Sequence, residues 1–191
     1  MRDQGASLIE LLLVLLVVTS VTAMSVPVAA GVVDASRARQ AAAFVGSRFR
    51  LARQQAVGSG VNVAVVFDQV GGRWQFRACR DGNGNGLRRA EVGNGTDPCF
   101  DGPHEISQLF PGVSILVDPT LRGPAGEPPN PDPVRFGTAN LASFSPSGSC
   151  TAGSVFLRSS GGAQYAVRIA GVTSRTRVLR YEPAAATWIT P

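Results

Sequence analysis

The chain changes its hydrophobic rhythm twice. Leu11 through Val18 are all aliphatic, and from Leu8 to Ala30 the only charged side chain is Glu10. As a helix this stretch would span about 35 Å, enough to cross a bilayer core. Further on, Ala41, Val45, Phe49, Ala52 and Ala56 recur at helical spacing, while Ser36, Arg39, Ser47, Arg50 and Gln54 take the other faces. That pattern predicts an amphipathic continuation of the same helix, stopped at Gly58-Ser59-Gly60. Arg48, Arg50 and Arg53 are expected on its solvated face.

Beyond Gly60 the period shortens to that of strands. Val61–Phe67 and Trp74–Arg80, parted by Gly71-Gly72, predict a hairpin. Val113–Val117, Val155–Arg158, Tyr165–Ile169 and Arg175–Tyr181 predict further strands, with Ser160-Gly161-Gly162 as another turn. Residues 122–133 hold five prolines and read as a loop. The expected fold class is α+β: one long helix on a small, mostly antiparallel sheet. A length of 191 residues suits one core-bearing domain with an attached segment.

Charge and cysteine content add little to that picture. The net charge of +5, carried by Arg with no Lys, gives a modest field that attracts polyanions without selecting one. Cys79, Cys99 and Cys150 all lie outside the N-terminal segment. In an oxidising compartment one pair would form a disulfide. Cys79 with Cys99 is preferred, because they bracket a Gly/Asn-rich loop whose closure removes unfolded-state entropy. Cys150 can replace either one, and three reduced thiols are the remaining alternative.

Three readings of the N-terminal segment compete. One is a secretory signal cut after Ala30, behind the small residues Val28-Ala29-Ala30; the product would be a secreted calcium-binding module. The second is a signal anchor. The third is a signal cut after Gly5 on the cytoplasmic side, which leaves the apolar helix attached. Glu10 favours the third, since a carboxylate at the edge of a span is costly and calls for a cationic partner.

The run GASLIELLLVLLVV resembles the prepilin cleavage and methylation motif of type IV pilins and type II secretion pseudopilins. The resemblance implies that prepilin peptidase cuts between Gly5 and Ala6 and methylates the new amine on Ala6. Ala6 stands where the family usually has Phe or Met. Glu10 would neutralise the amine of a neighbouring subunit, and Pro27 falls where many pilins carry a helix-kinking proline. The helix-then-sheet order, with RFRLARQQAVGSGVNVAVVF, ASFSPSGSC and RIAGVTSRTRV, further resembles the GspH/FimT family of minor pilins and pseudopilins.

That likeness implies a type IV pilin-like fold. Residues 1–5 would form the leader, 6–30 the transmembrane and assembly helix, 31–58 its amphipathic continuation, and 59–191 a periplasmic β domain. The implied location is the inner membrane, single-pass, with a cytoplasmic N-terminus and a periplasmic head built into a filament. The implied partners are other pilins or pseudopilins, through the N-terminal helix, and the peptidase.

Two further clusters carry candidate chemistry. Asp81-Gly82-Asn83-Gly84-Asn85-Gly86 fits the first half of a calcium loop, with Asp81, Asn83, Asn85 and Glu91 as candidate ligands. The closing acid belongs at position 92, where Val92 stands, and Gly and Asn suit a plain turn equally well. Arg175 and Arg177 alternate along one strand, with Arg180 close behind. In the FimT branch a Gly-Arg-x-Arg motif is tied to DNA binding in natural transformation, and here Ser174 replaces the Gly. The competing explanation is a charged edge strand that resists aggregation. His104 is the only histidine and sits among Pro and Gly, so no triad or zinc cluster can be assembled and no enzymatic activity or cofactor is expected.

Overall fold

The computed structural model describes residues 7–171 and 173–191, leaving out the side chains of residues 22–30. One helix, α1, runs without interruption from Leu8 to Ser59. Gly60 ends it in the left-handed conformation (φ 70°), its N–H bonded to the Ala56 carbonyl at 3.1 Å. A glycine is the least strained residue there, since it has no Cβ to clash.

The head is built from β1 (Val63–Val70), β2 (Arg73–Arg80), β3 (Cys99–Glu105), β4 (Val113–Ser114), β5 (Val134–Arg135), β6 (Leu141–Phe144), β7 (Gly153–Ser159), β8 (Gln164–Ile169), β9 (Thr176–Glu182) and β10 (Thr187–Ile189). Two short helices, α2 (Arg89–Asn94) and α3 (Ile106–Leu109), flank β3. The strands form two sheets with antiparallel pairing throughout. One has the order β3-β2-β1-β6; in the other, β10-β9-β8-β7-β4, β5 also pairs with β7. The β1–β2 hairpin turns at Gly71 and Gly72, both at positive φ (57° and 77°), matching the handedness of a tight two-residue turn.

The core lies where α1 meets both sheets. Ala38, Ala41, Ala42, Val45, Phe49, Ala52 and Ala56 are fully buried, while the expected solvent positions Ser36, Arg39, Ser47, Arg50 and Gln54 are exposed. Five alanines on the buried face let the sheets approach closely, and Phe49 fills the gap between them. Its ring meets Phe67, Phe136 and Phe144 at centroid distances of 5.6–6.3 Å.

Several boundaries differ from the sequence expectation. The strand expected over Val113–Val117 keeps ladder pairing only at Val113–Ser114, and β1 begins at Val63, not Val61. The strands β3 and β10 have no counterpart in the pattern of the sequence. Arg48 leaves the solvated face: it is half-buried and bonds Asp101 at 3.2 Å, with its guanidinium 4.7 Å above the Phe44 ring. His104 lies on β3, not in a loop, with Nε2 2.9 Å from Asp101.

Candidate functional site

Three regions hold the residues singled out by the sequence. The first is the N-terminal half of α1. Leu8 through Val21 are exposed on every face, and Glu10 lies in the first turn, where an acid is favoured by the helix dipole. Gly5 and Ala6 lie outside the described residues, and so does the side chain of Pro27. Among the described residues, no helix is long and apolar enough to cross a membrane; the expected span includes residues 22–30, whose side chains are not described.

Asp34 marks where α1 engages the head. The Ser160 hydroxyl and the Gly161 N–H donate to its carboxylate at 3.0 and 3.1 Å. The Ser159 hydroxyl, with these two donors and nearby Arg37, outweighs partial desolvation and holds the carboxyl below its ordinary range. A side chain at Gly161 would place its Cβ 2.5 Å from the Asp34 carboxylate, so the contact depends on glycine.

The second region is the loop after β2. The structure joins Cys79 to Cys99 in a disulfide and leaves Cys150 free, half-buried, with its thiol pKa raised chiefly by desolvation. Asp81 is buried and accepts the N–H groups of Asn83, Gly84 and Gly86 and the Asn62 side chain. Those hydrogen bonds together outweigh desolvation, the largest single influence, and lower its pKa. Asn83 and Asn85 donate to Glu91 at 3.2 and 3.0 Å, so the four calcium candidates are brought together. Both carboxylates, the two Asn amides and the Asn83 oxygen are engaged with the protein itself. Asp97, which no sequence motif singles out, is buried beside them and accepts from Gly82 and Arg88 N–H.

The third region is the outer face of the six-stranded sheet. Arg175 and Arg177 are exposed there, and Arg168 stands opposite Arg177 in the ladder. Arg168 bonds Glu127 at 2.6 Å, which pins the proline-rich loop against this face. Arg180 is separated from the pair: by strand alternation it faces α1, and it bonds Glu182 at 2.5 Å. Ser174 is buried at φ 50°, and its hydroxyl bonds the Gly148 carbonyl. The left-handed φ gives a physical reason for glycine at this place in the Gly-Arg-x-Arg motif.

One feature had no counterpart in the sequence expectation. A cleft of about 700 Å³ opens between the β1–β2 turn and the edge of the second sheet, lined by Trp74, Ile106, Ile115, Leu116 and Pro133 with Arg73 and Asp132 at its rim. Only the folded topology brings these residues together.

The model of the family described as type II transport protein GspH matches residues 41–173. That range runs from the buried face of α1 to the loop before β9. No curated protein and no solved structure matches the chain.

Proposed function

We propose, because the chain belongs to the GspH family of type II transport proteins, that it is a minor subunit of a type II secretion pseudopilus or a type IV pilus. Its work is assembly, at a tip or priming complex, and no catalysis is assigned to it. In this reading residues 6–30 hold the protein in the inner membrane after prepilin peptidase removes residues 1–5, and Glu10 meets the N-terminal amine of a neighbour.

One observation carries the reading: α1 is a single helix whose first part is apolar and exposed on every face, while its second part buries one stripe in the head. A helix that is apolar all round belongs in an apolar surrounding. The only charge between Leu8 and Ala30 is Glu10, and a lone carboxylate there needs a counter-ion. Glu10→Ala should therefore leave cleavage intact and abolish incorporation into filaments, followed by membrane fractionation and filament shearing. Normal incorporation of the variant would count against the pairing role. A second reading, a DNA-binding minor pilin, rests on the exposed guanidinium groups of Arg175 and Arg177.

A further inference from the structure

Between residues 35 and 59, α1 carries five Arg and no Asp or Glu, so apart from Arg37, which lies near Asp34, no carboxylate one turn away on the helix offsets them. Arg48 is taken by Asp101. Arg39, Arg50 and Arg53 are exposed, and none of them enters an ion pair among the described residues. Arg50 follows Arg39 by about three turns and Arg53 lies within the next turn, so the three line one flank of the helix within about 60° of arc. Arg53 lies along the loop at Gly148, and Arg39 near Tyr165, which places this flank beside the second sheet.

We infer that this stripe is a contact surface for an acidic face of a different protein subunit in the same assembly. Among the described residues beyond Glu10 every carboxylate side chain is already engaged: Asp132 lies beside Arg135, Glu91 pairs with Arg88, and Asp34 accepts from Ser160 and Gly161. Asp68, Asp101, Glu105, Asp118, Glu127 and Glu182 each already hold an arginine of the same chain. Asp81 and Asp97 are buried. A second copy would therefore bring like charge to the stripe, and the net charge of +5 adds to the repulsion. The partner is a protein surface with unpaired carboxylates, and the chain enters the assembly beside unlike neighbours, not as a run of copies. This inference rests on the assembly reading given above.

The test uses the full chain in detergent and, as probe, the purified most abundant subunit of its own filament, with that subunit's carboxylates intact or chemically amidated. Binding should weaken on the order of tenfold from low to high salt and fall comparably on amidation. Arg39→Glu, Arg50→Glu and Arg53→Glu combined should remove it, while the corresponding Lys triple and Arg37→Ala, on the opposite flank, should keep it. Far-ultraviolet circular dichroism should be unchanged, since exposed positions contribute little to packing.

Equal binding by the Glu triple overturns the inference. Salt-sensitive binding of duplex DNA through the stripe, with subunit binding unaffected by the substitutions, also overturns it. If the parent is processed and membrane-held but ignores the subunit, the stripe alone fails; if processing fails too, the assembly reading falls with it.

Discussion

The two halves of α1 share one backbone and meet two different surroundings. From Ala38 to Ala56 the helix has a face that the head covers completely, and the opposite face carries arginine, serine and glutamine. From Leu8 to Val21 it has no polar face beyond Glu10, Thr19 and Ser20, and its leucines and valines stand exposed, outside the buried core of the head. Thr19 and Ser20 return their hydroxyls to carbonyls one turn back, which satisfies them without water. The second half is thus part of a folded domain, whereas residues 8–21 bury no side chain against the head.

The comparison breaks most sharply at Phe49. Its ring is fully buried against three other phenylalanines, so Phe49→Ala should cost about 3–5 kcal/mol of head stability. Leu12→Ala, at a position 56 % exposed, should leave the urea midpoint of the head unchanged in detergent. A shared loss of stability in both variants would show that the halves fold as one unit.

A next-smaller effect belongs to the disulfide. Cys79 and Cys99 lie 20 residues apart, and replacing both with Ala should destabilise the head by about 3 kcal/mol. Thermal unfolding with and without reductant reads this out, and membrane extraction of the first half of α1 should not change. The Asp81–Asp97 loop would loosen first, since the bridge ties the strands on either side of it.

The smallest effect lies at the junction of the halves. Asp34 has its pKa depressed by the Ser159 and Ser160 hydroxyls and the Gly161 N–H. A depressed acid contributes stability above its unfolded pKa of about 3.9, and the contribution is lost as pH falls through the lower folded value. Amide exchange around residues 159–161 should therefore quicken only below about pH 4, and Asp34→Asn should quicken it at neutral pH. No acceleration in the variant would mean that the contact does not tether the helix.

Much of this was legible in the sequence, and the limits are physical. The buried face of α1 could be read because helical periodicity sorts Ala41, Val45, Phe49, Ala52 and Ala56 from the polar positions without reference to the rest of the chain. The β1–β2 hairpin announced itself through Gly71-Gly72. By contrast, β3 reads Cys-Phe-Asp-Gly-Pro-His-Glu, with no alternation and a proline, because it is a largely exposed edge strand with little hydrophobic face to bury. The two-residue strands β4 and β5 are too short for any period to show. Arg48 could not be assigned because its partner, Asp101, is 53 residues away. The cleft around Trp74 is likewise assembled from separated segments. Gly5, Ala6 and Glu10 stand out only through the motif they resemble, and Gly5 and Ala6 lie outside the described residues.

The central claim, that the first half of α1 stays attached as a membrane and assembly helix, has one most direct measurement. Intact-mass analysis with N-terminal sequencing of protein extracted from membranes should give a chain that begins at N-methylated Ala6. A mature chain that begins at Gly31 would contradict the account, because the apolar half would then have been removed as an ordinary signal.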